Sequence, residues 1–257
     1  MSRRPPRTLV VIPTYDERAN LAEVVGRALA QPCAVDVLVV DDNSPDGTGA
    51  LADELAARHE RMSVLHRPAK TGLGSAYRAG FEHGLSLGYE VLVEMDADLS
   101  HDPDDLCRLI AGLDHADVVL GSRYVQGGGV ANWPRHRRLL SAGGNRYVRA
   151  VTGIPVRDAT AGFRAYRRTV LLKIGVLDMR SDGYSFQLEA ILACWRHGFV
   201  VAEEPILFSE RTQGASKISR RIILEALWRV LLWGLRGPRR PAGIHPASVA
   251  AAPSVDG

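Results

Sequence analysis

The chain has 257 residues, is 46% hydrophobic and carries a formal net charge of +3, which supports a full-sized folded core and excludes intrinsic disorder. Its three cysteines, Cys33, Cys107 and Cys194, show no CxxC spacing, which argues against a zinc site or a disulfide framework and for a reducing compartment. The apolar run Leu9 to Ile12 is too short for a signal segment, and Ile222 to Arg236 is interrupted by Glu225 and Arg229, so neither is read as an export signal or as a span of roughly 18 or more apolar residues.

Residues 8–12 (TLVVI) read as a strand ending at Pro13, and residues 19–30 as a helix from their apolar spacing. A second strand is expected at 35–40 (VDVLVV), followed by the turn residues DDNSPDGT and a helix at 48–59. A third strand at 62–65 leads through a Gly-rich loop to a helix at 75–86, and a fourth strand, 89–95, runs into DAD. Beyond it the pattern predicts a helix at 103–113, a strand at 117–120 delivering GSRY, a helix at 135–152, a short strand at 161–166, a helix at 185–197 and an edge strand at 199–203. The Pro-, Ala- and Gly-rich tail beyond Gly237 reads as disordered.

Strands alternating with helices imply right-handed crossovers and an α/β fold with a mainly parallel sheet flanked by helices. Ligands bind beyond the carboxyl ends of such strands. Those ends carry PTYDE, DDNS, RPAKTGLG and DAD, so four polar clusters are expected on one rim.

Asp96 and Asp98 are separated only by Ala97. In an extended segment residues two apart point the same way, so both carboxylates are expected to face one hard divalent cation carrying phosphate oxygens, the chemistry of a diphosphate leaving group. At the preceding strand end, Asn43, Ser44 and Asp46 are assigned to turn and capping chemistry, which leaves Asp41 and Asp42 for donors on a base or ribose. The first loop, Pro13-Thr14-Tyr15-Asp16-Glu17, lacks the G-x-G-x-x-G of a dinucleotide site. Gly72-Leu73-Gly74 reads equally as a phosphate loop or a plain left-handed turn, and His101 equally as a base or ligand or as a packing or capping residue. Cys107 and Cys194 read as core residues rather than nucleophiles, and Gly183 to Gln187 as a helix start that lines the acceptor site, with Phe186 in the core. Basic clusters at Arg3, Arg4 and Arg7, at Arg135 to Arg138, at Ser219 to Arg221 and at Pro238 to Arg240 call for anionic partners.

The segments IPTYDERANL, VVDDNSPDGT, AKTGLGSAYRAG, EMDADLSHDP, GSRY, DATAGFRAYRR, GYSFQLE and RTQGASK occur in an order that resembles the family-2 inverting glycosyltransferases of GT-A fold, and within them the polyprenol (dolichol) phosphate mannosyltransferases. The resemblance runs from about Thr8 to Trp233. It implies a GT-A nucleotide-diphospho-sugar transferase fold and transfer of mannose from GDP-mannose to a polyprenyl monophosphate, with Mg2+ or Mn2+. It further implies that Pro13, Tyr15, Glu17, Val40, Asp42, Asp96, Ala97, Arg123, Arg211 and Lys217 bind the nucleotide sugar, and that Asp96 and Asp98 hold the metal, Asp98 directly. Arg123, Arg137 and Ser141 match the acceptor-phosphate positions, and Asp98 and Arg123 are the implied catalytic residues. Asp16 stands where the family commonly has Asn, and Ser100 where some relatives have Gln, so a bridging water would replace that ligand.

The implied reaction explains why no catalytic base stands out. A phosphate monoester has a second pKa of about 6 and reaches the site already ionised, whereas an alcohol would need a base. In-line attack inverts the anomeric centre, so an α-linked donor gives a β-linked lipid. The expected organisation is a basic extension at 1–7, a catalytic domain at 8–215, an amphipathic interfacial helix at 216–236 and a disordered tail at 237–257. The arginines flanking Ile218 to Trp233 favour peripheral contact with the cytoplasmic face of a membrane, with or without a separate membrane-protein anchor. Two rival functions are UDP-glucose, or another sugar nucleotide, as donor to the same lipid, and a non-catalytic nucleotide or nucleic-acid binding module. The intact acid pair and 6% aromatic content count against nucleic acid.

Overall fold

The computed structural model describes residues 5–209 and 220–235, with side chains of the last helix described from residue 227. The elements follow in order as β1 (Thr8–Thr14), α1 (Arg18–Leu29), β2 (Asp36–Asp41), α2 (Thr48–Ala56), β3 (Met62–His66), α3 (Leu73–Ser86), β4 (Val91–Glu94), α4 (Leu106–Ala111) and β5 (Val118–Ser122). The second half contains β6 (Gly129–Val130), α5 (Arg135–Thr152), β7 (Arg164–Arg167), α6 (Arg168–Ile174), α7 (Gly183–Arg196), β8 (Val201–Pro205), β9 (Leu207–Phe208) and α8 (Arg220–Leu235).

Seven strands form one sheet in the order β3-β2-β1-β4-β7-β5-β8, parallel except for β7, which pairs antiparallel with β4 and β5. Both faces are covered, which is why β1 is apolar without alternation. Leu9 and Val11 pack in one layer with Tyr77, Phe81 and Leu85 of α3, while Val10 and Ile12 pack in the other with Leu21, Val24 and Val25 of α1. Each such side chain contributes about 1.5–3 kcal/mol on burial. The helix α3 lies close on the sheet because Gly80 has no side chain, and a Cβ there would collide with Val11 Cγ1. α5 stops at Gly153, whose φ of 72° closes the helix in the left-handed region.

The edge position of β8 agrees with the sequence reading. The helix α6 and the small β6–β9 pair were not anticipated, being too short for a periodic signal. The fourth strand stops at Glu94, so Asp96 and Asp98 lie in a bend beyond it, with Leu99 at φ 60°. The alternation of an extended strand is therefore not what aims these two carboxylates.

The expectation of unpaired cysteines is also corrected: Cys33 and Cys107 are joined as a disulfide, with Cα atoms 5.4 Å apart and 74 residues between them in sequence. The segment after α1 lies along the start of α4, where Arg27 pairs with Asp102 and Asp104 and Gln31 Nε2 donates to Asp104 Oδ1 at 2.8 Å. Spacing along the chain cannot reveal such a contact. Cys194 is buried and unbonded, and burial pushes its thiol up to about 12.

α8 packs on the rest of the chain: Tyr147 Oη donates to the Leu227 carbonyl at 3.2 Å, Arg229 Nη1 to Ser181 Oγ at 2.8 Å, and Val230 is buried. No helix among the described residues is long and apolar enough to cross a membrane. The expected basic extension falls largely, and the expected tail wholly, outside the described residues.

Candidate active site

The parallel strands β1, β2, β4 and β5 end on one rim of the sheet. At the end of β1, Asp16 takes φ 61° and its N–H donates to Ser44 Oγ at 3.2 Å, while the Glu17 N–H donates to Thr48 Oγ1 at 3.0 Å. The first loop is thereby tied to the second. Tyr15 and Glu17 stand half-buried on it, and Lys70 Nζ lies 3.6 Å from the Tyr15 ring centroid.

The two acids that end β2, both read for donors on a base or ribose, each have partners within the chain. Asp41 accepts from Thr14 Oγ1 at 3.2 Å and from Ser44 N and Oγ at 3.2 and 2.6 Å, so it belongs to the turn. Asp42 is buried and accepts from Arg67 Nη1 at 2.5 Å. Burial raises its pKa, and the Arg67 charge opposes that rise. Val40, expected beside the base, has its side chain fully buried in the layer under α3, so it can meet a nucleotide only through its main chain. Asp46 does perform the predicted capping, accepting from the N–H groups of Thr48 at 2.9 Å and Arg18 at 3.2 Å.

The glycine loop before α3 is engaged by a carboxylate of the chain itself. The Gly74 N–H donates to Asp182 Oδ1 at 2.6 Å, so the helix N-terminus that could have received a phosphate binds Asp182.

Beyond β4, Asp98 is buried and accepts from Ser100 N at 3.0 Å and Ser100 Oγ at 2.5 Å. Asp96 is the more open of the pair and is held from two sides. Tyr77, fully buried in α3, donates its hydroxyl to Asp96 Oδ1 at 3.2 Å, and the Asp96 N–H donates to His101 Nδ1 at 3.0 Å. His101 stacks on Phe163, 5.2 Å between centroids, so its role is to pack and orient. Because Nδ1 accepts, the ring proton belongs on Nε2. Ala97 is buried among the apolar residues beneath α1. Two carboxylates and no larger cluster of His, Cys, Asp or Glu are found among the described residues. That donor set suits a hard cation completed by substrate phosphates and water.

One step back from this acid motif, Glu94 is fully buried; desolvation raises its carboxyl to about 7, against the opposing charge of Arg164. Arg164, also fully buried, donates to the carbonyls of Ala161, Ala159 and Gln187 at 2.7–2.8 Å, which ties β7 to α7 behind the rim.

Arg123 follows β5. Its Nε and Nη2 donate to the two carboxylate oxygens of Asp158, both at 2.7 Å, and Nη2 also reaches Thr160 Oγ1 at 2.9 Å. Asp158 is buried and is itself fixed by Asn145 and by its N–H donation to Glu203 at 2.9 Å. Burial alone would raise the Asp158 pKa, but the Arg123 charge and hydrogen bonds hold it below the ordinary range. The Trp133 ring lies between two guanidinium groups, 4.2 Å from Arg137 and 5.5 Å from Arg123.

Arg123, Arg137 and Ser141 all line one cavity of about 550 Å³ whose other walls include Leu140, Tyr147, Tyr184, Leu188, Leu227 and Val230. The three residues assigned from sequence to the acceptor phosphate are thus brought together at a largely apolar hollow between α5, α7 and α8. Arg211 and Lys217 lie outside the described residues. The sequence reading gave no role to Tyr77 and Asp158, although both lie within quoted segments (AKTGLGSAYRAG and DATAGFRAYRR), nor to Trp133, which lies in none; each acts by touching a residue that was singled out.

A family model described as Glycosyl transferase family 2 matches residues 9–175. The chain is 54% identical, over 90% of its length and 88% of the relative's, to a polyprenol monophosphomannose synthase of Mycolicibacterium smegmatis. It is 48% identical, over 89% and 94%, to an undecaprenyl-phosphate mannosyltransferase of Micrococcus luteus. Among solved structures it resembles a mannosyltransferase of Pyrobaculum calidifontis in complex with GDP-mannose and Mn2+, with a TM-score of 0.63 at 18% identity, covering 93% of this chain and 66% of that one.

Proposed function

The chain belongs to glycosyl transferase family 2, and from that membership we propose that it transfers mannose to a polyprenyl monophosphate, with GDP-mannose as donor. The observation that carries this reading is the cavity between α5, α7 and α8, which pairs apolar walls with Arg123 and Arg137. An isoprenyl phosphate has that same division into an apolar chain and an anionic head. Relatives bearing polyprenyl-phosphate mannosyltransferase names over nearly their whole length support it.

The nucleotide sugar is assigned to the rim formed by Pro13, Tyr15, Glu17, Asp42 and Asp96, with Arg67 and Lys70 added from the geometry. The Arg67 guanidinium is paired with Asp42, and Lys70 lies over the Tyr15 ring, so both cations stand on this rim beside a donor phosphate. Asp96 and Asp98 are assigned to a divalent cation, which supplies charge neutralisation for the departing diphosphate when bound. Tyr77 and His101 hold Asp96 in place.

The acceptor needs no base, because its phosphate is ionised at neutral pH. It needs positive charge and alignment. The charge of Arg123 is largely balanced by Asp158, so Arg123 offers directed N–H groups rather than net charge. Arg137, which lines the cavity and stacks on Trp133, supplies a second guanidinium on the same wall. Together they present the phosphate oxygen to the anomeric carbon on the side away from the diphosphate, so the product has inverted configuration.

Incubation with radiolabelled GDP-mannose or UDP-glucose and polyprenyl phosphate tests the reading. Labelled lipid is expected from GDP-mannose, and none from that donor would refute it. Asp98→Ala is expected to abolish turnover while leaving the unfolding transition in place.

A further inference from the structure

A second cavity, of about 560 Å³, adjoins the first along α5, the two sharing Leu139 and Gly143. Its wall carries three arginines: Arg146 and Arg149, three residues apart on α5, and Arg157 from the segment after Gly153. Among the described residues no carboxylate lines it. None of the three arginines forms an ion pair with a described residue. The Arg157 main chain is nonetheless anchored, its N–H donating to Glu203 Oε2 at 2.8 Å. Tyr124, also on the wall, has a buried hydroxyl without a hydrogen-bond partner among the described residues.

The surroundings say what kind of anion this is. Leu139 at the shared wall is 74% exposed and Leu140 60%, and on α8, packed against α5, Trp228 is 61% and Leu235 76% exposed. Large apolar side chains standing in water beside uncompensated guanidinium groups are the pattern of a surface that meets a bilayer at headgroup depth. Arginine is suited to phosphodiester oxygens, which it can grip with two parallel N–H groups. A soluble nucleotide would be expected to find carboxylates for its ribose, and the described residues of this wall include none.

We propose that Arg146, Arg149 and Arg157 form a binding site for the headgroup of an anionic glycerophospholipid, separate from the acceptor site. The inference rests on the reading that the acceptor is borne by a membrane. Docking through this cavity brings the neighbouring apolar cavity to the surface from which a polyprenyl chain must be drawn.

The test is sedimentation of the full chain with vesicles of phosphatidylcholine alone or mixed with phosphatidylglycerol, alongside transfer to a short-chain, detergent-soluble polyprenyl phosphate. The wild-type chain is expected to bind only the mixed vesicles. R146A/R149A/R157A is expected to lose about five-fold in partitioning per arginine, roughly a hundred-fold in all. A control, R58A/K173A, removes exposed charges elsewhere and is expected to bind like the wild type. Transfer to the short-chain acceptor is expected to be unchanged in the triple variant. Equal binding by the triple variant, or equal binding of the wild type to neutral vesicles, would overturn the proposal. Release from vesicles by inorganic phosphate at constant ionic strength would overturn it in favour of a soluble-anion site. Loss of short-chain transfer in the triple variant would assign the cavity to the acceptor instead. Absence of transfer by the wild-type chain, with vesicle binding intact, would count against the proposed reaction and not against this site.

Discussion

Arg123 and Asp158 meet through two parallel N–H···O bonds of 2.7 Å with both side chains buried. Removing one partner strands a charge in the interior, which costs about 3–5 kcal/mol. Asp158→Ala is therefore expected to lower the unfolding free energy by that amount, read from urea denaturation, and to abolish transfer. R123M/D158L is expected to recover most of the stability and none of the activity, because an apolar pair of similar volume leaves no charge unpaired. A stable, active D158A would show that the pair does not organise the site.

The same pair dictates an acid dependence. Asp158 has a folded-state pKa below its ordinary 3.8, so its contribution to stability is fully present above that value and disappears as pH falls through the folded pKa. The urea midpoint of the wild type is expected to fall below about pH 4. In Asp158→Asn, which starts from a lower midpoint, this part of the decline is expected to be missing. Parallel acid limbs in the two proteins would contradict the assignment.

Tyr77 supports a carboxylate assigned to the metal without touching the metal itself. Tyr77→Phe removes only the hydroxyl that Asp96 accepts, and loss of such an orienting partner typically weakens metal binding 10- to 100-fold. Equilibrium Mn2+ binding, followed by the electron paramagnetic resonance of the free ion, should show that loss, with transfer at saturating metal close to the wild-type rate. Unchanged Mn2+ affinity would mean that Tyr77 only fills space.

The three thiols should separate by chemistry. Cys33 and Cys107 are bonded to one another, and Cys194 is buried with its thiol pushed up to about 12, so little thiolate is present at neutral pH. The native, unreduced chain is expected to take up no alkylating label, to take up two equivalents after reduction, and to add a third only on unfolding. Labelling of Cys33 without a reductant would remove the disulfide.

Periodicity was enough for the sheet and its flanking helices, because residues 8–12 and 35–40 are apolar without alternation and so announce strands buried on both faces. It was not enough for α6 or for the β6–β9 pair, whose short spans hold too few residues to show a period. The eight motifs allowed the family to be read from the chain alone, since each is a local string. The partners of those motifs were not legible. Nothing in the order of residues says that Asp158 will meet Arg123, 35 residues away, or that Asp182 will occupy the amide of Gly74, 108 residues away.

The sequence by itself determined which residue types stand at the strand ends, and with them the reaction class, because strand, turn and acid motif are encoded within a few neighbouring positions. Only the tertiary structure decided which of those groups remain available to a ligand. Asp41 is consumed by a turn, Asp42 is held by Arg67 and Arg123 is aimed by Asp158, while Arg123, Arg137 and Ser141 open on one apolar cavity. The physical reason is that a buried charge must find a partner, and packing brings partners together from positions far apart in the chain.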